Sequence, residues 1–311
     1  MRKIDDEIQA LLSEHRGDIR SILKDNHRLD LLYALSSQRE LLLEWYDFEP
    51  EAEVLQVGAD YGALTGLLRS SVSAVTVLDE TESALETVRQ RYPGAANIYY
   101  RKDSLAGYAA EACAEGKKYD YVIFAGTLTA PYEKHIHAAK SLLKPDGILI
   151  VALANALGMK YFAGTVEEEN ALTKRQLAEL LCGDKETQSM ADESGTLKFY
   201  YPMPDYKTPV SIYSDAYLPK KGDLTRVTPA YDYPPYHLME QGEKFDTVCE
   251  AGLFDLYANS YLVFWSADPK QLQKDDERIF IKYNKTRREE FQIKTCICER
   301  NVSGEDTDFT L

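Results

Sequence analysis

Three glycines stand four residues apart, Gly58, Gly62 and Gly66, in the run Val54-Leu-Gln-Val-Gly-Ala-Asp-Tyr-Gly-Ala-Leu-Thr-Gly66. Glycine lets a chain turn sharply and lets a ligand lie against the main chain without meeting a side chain. Asp79 follows 17 residues after Gly62, at the end of the apolar run Ala74-Val-Thr-Val-Leu78. A carboxylate at the tip of a second strand can accept hydrogen bonds from both hydroxyls of a ribose held at the first turn, so the chemistry on offer is nucleoside binding. The glycines do not follow Gly-x-Gly-x-x-Gly, the spacing that sets a pyrophosphate on a helix amino terminus, which argues against a nicotinamide dinucleotide.

For these residues to meet, Val54–Val57 must be a buried strand, the glycines a turn that opens a helix, and Ala74–Leu78 a crossover strand. The pattern then alternates. A helix over Glu82–Tyr92 stops at Pro93-Gly94, and a short strand covers Asn97–Arg101. A further strand runs from Lys118 to Phe124 and closes on the small residues Ala125 and Gly126. A helix from about 131 to 143 leads through Lys144-Pro-Asp-Gly147 into an apolar strand ending near Val151. His135 and His137 lie two apart in that helix, point to different faces and read as surface residues. Residues 4–46 carry helical apolar spacing, with Ile4, Ile8, Leu11 and Leu12 in one segment and Leu29, Leu32, Leu35 and Trp45 in a later one.

The glycine run with Asp79, Asp103 and the Lys144-Pro-Asp-Gly147 turn resembles the class I S-adenosylmethionine-dependent methyltransferases. Tyr33–Tyr46, Ala154–Gly164 and Phe199–Pro219 resemble segments of a bacterial branch of that family associated with cell-surface glycan synthesis. The resemblance implies an α/β fold, a Rossmann-like seven-stranded mostly parallel sheet with helices on both faces. It also implies S-adenosylmethionine as cofactor, with Gln56, Gly58, Asp60, Gly62, Asp79, Glu80, Asp103, Ser104 and Gly126 as the residues around it. Asp103 would contact the adenine amine. Four positions depart from the family pattern: Gln56 replaces an acidic residue, Asp60 a glycine, and Ala154 and Ala156 replace charged residues flanking Asn155. The activity implied is methyl transfer to oxygen or nitrogen of a small molecule, sugar or glycan precursor. The alternative is a methyltransferase-like module without catalysis that serves binding or assembly.

Composition bounds the partners. A 311-residue chain with 44% apolar residues can bury a full core, and a net charge of −15 repels polyanions, so no nucleic-acid partner is expected. The amino terminus lacks a secretory pattern and no apolar run spans a bilayer, which predicts a cytoplasmic protein, with oligomerisation left open. Cys113, Cys182, Cys249, Cys296 and Cys298 are odd in number and lack histidine neighbours, so neither a disulfide framework nor a metal site is expected. Phe199–Tyr236 mixes tyrosines with prolines and reads as an irregular aromatic insertion, placed around 199–240, where a substrate lid would sit. Methylating a hydroxyl needs a base, and His237, Asp205 and Asp215 are the candidates there, histidine being the type that titrates nearest neutrality. Tyr257–Trp265 reads as an antiparallel strand and Arg278–Cys298 as a hairpin. The expected segments are thus a helical cap over 1–48, a methyltransferase-like domain over 49–270, and a hairpin with a tail over 271–311.

Overall fold

The computed structural model describes residues 3–183, 195–225, 238–273, 276–285, 289–300 and 308–310. Contacts divide the chain into two compact units, Met1–Ile150 and Val151–Leu311.

The first unit begins with α1 (Lys3–Glu14), α2 (Ile19–Asp25) and α3 (Leu29–Leu35). It continues through β1 (Glu53–Val57), α4 (Thr65–Ser71), β2 (Ala74–Asp79), α5 (Glu82–Arg91), β3 (Ile98–Lys102), α6 (Leu105–Ala114), β4 (Tyr119–Ala125) and α7 (Tyr132–Ser141). The division falls inside β5 (Leu143–Ala154), whose strand already includes the Lys144–Gly147 stretch expected as a turn. The strand order is β5-β4-β1-β2-β3. β1 pairs in parallel with β2 and with β4, and β2 in parallel with β3. The chain order therefore reverses between β1 and β4, the place where open α/β sheets leave a crevice at the strand ends.

Val54, Leu55, Val75, Val77, Val122 and Ile123 are at most 1% exposed. Strands covered on both faces have no polar side to show, hence the continuous apolar runs. Burying each such side chain contributes about 1.5–3 kcal/mol. At the opposite end of the strands the Asp120 carboxylate accepts from the Glu53 N–H at 2.7 Å and from Lys144 Nζ at 2.8 Å, which ties β1, β4 and β5 together. The amino-terminal helices have their own apolar cluster, Ile8, Leu12, Ile22, Leu31, Ala34 and Leu35. They are also fixed to α5, where Gln9 Nε2 donates to the Ser83 carbonyl at 2.7 Å and to the Thr87 hydroxyl at 3.2 Å.

The second unit holds α8 (Met159–Phe162), α9 (Lys174–Cys182), β6 (Thr196–Met203), β7 (Ser211–Ser214), α10 (Gln241–Glu250), α11 (Phe254–Tyr257) and β8 (Ser260–Ser266). β9 (Asp276–Asn284), β10 (Ile293–Arg300) and β11 (Asp308–Thr310) complete it. Its strand order is β8-β6-β7-β9-β10-β11, paired antiparallel throughout. Two expectations are corrected. Eleven strands occur among the described residues where a seven-stranded sheet and a hairpin were expected: β9 and β10 are the expected hairpin, and β6, β7 and β11 add pairings that the parallel pattern does not announce. The aromatic stretch from Phe199 is also no irregular insertion at its start, since β6 and β7 carry it. Pro202 is tolerated because the β6–β8 register ends two residues earlier, at Tyr200 opposite Leu262. Its neighbours Tyr201, Met203, Tyr206 and Tyr213 are buried core.

A buried ion cluster anchors this unit. Lys160, 0% exposed, places Nζ 2.7 Å from Asp205 and 2.8 Å from Glu168, and Lys207 reaches Glu168 at 2.9 Å. Burial disfavours the Lys160 charge, but Asp205 and Glu168 outweigh it and hold its proton well beyond the usual lysine range. Burial likewise pushes Glu168 up, and the charges of Lys160 and Lys207 reverse this to about 2. Lys160→Met leaves the buried Asp205 carboxylate without its cation and Glu168 with Lys207 alone, and guanidinium titration is expected to show a loss of about 3–5 kcal/mol. Because the folded carboxyl of Glu168 lies below its ordinary 4.5, its contribution is present above that value and is lost as pH falls toward about 2. Unfolding midpoints of wild type and Glu168→Gln should therefore converge on acidification.

Candidate functional site

The turn after β1 is left-handed at four of five residues: φ is +85° at Gly58, +41° at Asp60, +54° at Tyr61 and +73° at Gly62. Only glycine adopts such angles freely, so Asp60 and Tyr61 must be held there. Gln56 does part of this. Buried at 4% exposure, it donates Nε2 to the carbonyls of Gly58 at 3.1 Å and Ala59 at 3.3 Å, and its Oε1 accepts from Thr65 Oγ1 at 2.8 Å. Arg91 donates to the Tyr61 carbonyl at 3.0 Å and also to the Ala34 and Leu35 carbonyls at the end of α3. Tyr92 donates to the Gly62 carbonyl at 2.9 Å, and Tyr61 donates its hydroxyl to Asp5 at 2.7 Å.

Asp60 meets Arg39. The two form an ion pair, and Arg39, with a side chain only 7% exposed, comes from the turn of helix over Ser37–Leu42. The Arg39 Nη2 also lies 3.5 Å from the Ala125 carbonyl. The negative charge that stands where the resemblance led one to expect a glycine is thus neutralised by this pair.

A cavity of about 550 Å³ opens at the carboxyl ends of β1, β2 and β4. Asp79, Glu80 and Asp103 give it an acidic side, and Val57, Leu78, Leu105 and Phe124 an apolar one. Asp79 Oδ2 accepts from the Ala59 N–H at 3.0 Å, and Oδ1 from both the N–H and the hydroxyl of Thr81 at 2.9 Å. An ionised carboxylate has roughly four acceptor sites. Three are used, so Asp79 has one left to offer, and Glu80 is the nearest second acceptor in sequence. Asp103 accepts from the Ser104 N–H at 2.7 Å, and Ser104 Oγ accepts from the Gly107 N–H at 3.1 Å as the cap of α6.

Of the expected residues, Gly58, Asp79, Glu80 and Asp103 line the cavity. Gln56, Asp60, Gly62, Ser104 and Gly126 stand behind it, holding the turn, capping α6 or, for Gly126 at φ +79°, turning the chain that follows β4. Gly62 faces Arg91 and Tyr92. Asp205 belongs to the buried ion cluster of the second unit. Asp215 accepts from the Tyr201 hydroxyl and from Lys174 Nζ at 3.1 Å, with Asp255 2.9 Å from the same Nζ. His237 lies outside the described residues.

Thr127, Thr129 and His135 also line the cavity and were not among the expected site residues. His135, expected at the surface, is half-buried, while His137 is exposed. His135 Nδ1 donates to the Thr129 carbonyl at 2.8 Å, which leaves the lone pair of the neutral ring on Nε2. Its position in the first turn of α7, directly after the loop at the end of β4, was the available signal. Among the described residues no group of three or more His, Cys, Asp or Glu gathers in a metal-binding arrangement, and no helix is long and apolar enough to cross a membrane.

No protein-family model matches the chain, and a search among curated proteins finds no relative. Solved structures do share similarity. A putative methyltransferase of Haloferax volcanii, in complex with the Trm112 methyltransferase activator, is 13% identical, covering 85% of this chain and 97% of that one, with a TM-score of 0.45. Haemonchus contortus phosphoethanolamine N-methyltransferase 1, bound to phosphoethanolamine and S-adenosylhomocysteine, is 13% identical over 84% of this chain and 48% of that one, with a TM-score of 0.46. The N-methyltransferase NodS of Bradyrhizobium japonicum WM9 with S-adenosyl-L-homocysteine is 19% identical over 46% and 71%, with a TM-score of 0.33.

The Arg39–Asp60 pair is open to a direct check. Asp60→Gly relieves a left-handed residue but takes from a buried guanidinium the carboxylate it pairs with, so chemical denaturation should show a net loss of about 3 kcal/mol. Pairing it with Arg39→Met should recover most of that loss.

Proposed function

We propose that the cavity binds the adenosyl group of S-adenosylmethionine and that the chain is a methyltransferase acting on a hydroxyl or amine of a small molecule, such as a sugar or glycan precursor. The observation that carries this reading is Asp79, at the carboxyl end of β2 beside the left-handed turn of β1, lining a cavity where the strand order reverses. The acceptor set fits a nucleoside. Asp79 and Glu80 can accept from ribose hydroxyls, Asp103 from an exocyclic amine, and Leu105 and Phe124 offer an apolar wall for a base. When bound, the cofactor supplies a methyl carbon already activated by a sulfonium. The protein's own task is then to position, to exclude water and to accept a proton from the attacking group. His135 Nε2 is the candidate acceptor at this cavity, in place of Asp205 and Asp215, which are engaged in ion pairs.

The departures at Gln56 and Asp60 favour an intact site over a decayed one. Each has acquired partners that preserve the turn: Thr65 and two carbonyls for Gln56, Arg39 for Asp60. The acidic composition disfavours a polyanionic acceptor and is compatible with a neutral sugar or an amine.

Isothermal titration with S-adenosylhomocysteine is expected to give measurable heat, and silence at millimolar ligand would sink the proposal. Losing one charged acceptor is worth 1.5–3 kcal/mol, so Asp79→Asn should weaken binding by roughly 10- to 150-fold. Circular dichroism of the variant should match the parent.

A further inference from the structure

We infer that Thr127 sets how much of an adenosyl ligand the cavity admits: with its side chain as observed, the nucleoside end enters, and the amino-acid tail is admitted only after Thr127 gives way. This rests on the adenosyl reading above.

Gly58 is the residue whose bare α-carbon would let a ligand lie against the main chain. Its φ of +85° is held by its own N–H, which donates to the Leu78 carbonyl at 2.8 Å. Yet the space that a side chain at Gly58 would take is already filled. A β-carbon built there would stand 2.5 Å from Thr127 Cγ2 and 2.7 Å from Thr127 Cβ. Both residues line the cavity, so this filling lies on the ligand side of the turn.

The filling is also anchored. Thr127 Oγ1 donates to the Val57 carbonyl, the last of β1. Gly126, left-handed at φ +79°, turns the chain after β4 and so brings Thr127 across to that carbonyl. Threonine suits the role through both of its branches: the hydroxyl fixes the rotamer, and the methyl stands over Gly58. β-Branching leaves few rotamers to which the side chain can retreat. A ligand that ends at the 5′ carbon of the ribose needs only the walls made by Asp79, Asp103, Leu105 and Phe124. On this inference, one that carries an α-amino acid beyond it would lie along the main chain at Gly58 and so compete for the room now held by Thr127.

The experiment compares two ligands that share the adenosyl group and differ in the tail: 5′-methylthioadenosine, which has none, and S-adenosylhomocysteine. Each is titrated calorimetrically into the full chain and into Thr127→Ala, Thr127→Gly and Thr127→Ser. The wild type should bind the two within about threefold of each other, and Thr127→Ala or Thr127→Gly should strengthen only S-adenosylhomocysteine, by about tenfold or more. Thr127→Ser, which keeps the anchor and loses the methyl, should fall between and guards against a variant that fails to fold. A wild-type preference for S-adenosylhomocysteine above about tenfold, or variants that shift both ligands equally, would overturn the role of Thr127 and leave the adenosyl site standing. Failure of both ligands to bind any of the proteins would overturn the adenosyl reading itself, and this inference with it.

Discussion

The turn from Gly58 to Gly62 is the constraint on which the first unit depends. Left-handed geometry at Asp60 and Tyr61 costs about 1–2 kcal/mol per residue, and such a turn persists only if its surroundings over-determine it. Here the surroundings reach in from far along the chain. Arg91 and Tyr92 come from the end of α5, Arg39 from the helical turn after α3, Asp5 from α1 and Gln56 from β1 itself. Each bond of this kind is worth only about 0.5–1.5 kcal/mol net, more where a charge is involved, so it is their convergence that fixes the shape.

Charge in the site is sorted by distance from the cavity. Asp60, behind the turn, is neutralised by a buried guanidinium, whereas Asp79 is held by three hydrogen bonds, with no cation paired to it among the described residues, and keeps one acceptor site. Glu80 and Asp103 extend that acidic side. A rim of this sign repels phosphates and tolerates a cationic centre, which agrees with the acidic balance of the whole chain.

Much of the first unit was legible in the sequence because the signals are local. Apolar runs marked β1, β2 and β4, Pro93-Gly94 marked the end of α5, and the spacing from Gly62 to Asp79 placed an acidic residue at the tip of β2. What escaped is what only packing decides. Arg39 and Asp60 are 21 residues apart and nothing in their spacing announces an ion pair. Gln56 looked like a loss relative to a family pattern, yet its amide serves both as donor and acceptor where a carboxylate could only accept. His135 and Thr127 carry no motif, and their place on the cavity wall follows from the loop between β4 and α7. In the second unit prolines hid β6, since a proline reads as a breaker until the ladder on one side of it, here that with β8, is known to stop short of it while the other continues.

Among the described residues the amino-terminal helices contribute none to the wall of the cavity, yet they are stitched to the turn behind it. Arg91 grips the last carbonyls of α3 and the carbonyl of Tyr61 with one guanidinium, while Asp5 holds the phenol of the same tyrosine. Trimming the chain to a minimal sheet by deleting its first forty-odd residues would therefore not give a smaller version of the same pocket. It would take Asp5 from Tyr61, two of its three carbonyls from Arg91 and the guanidinium from Asp60, and let the loop above β1 relax. For this protein the apparent ornament at the front of the chain belongs to the foundations.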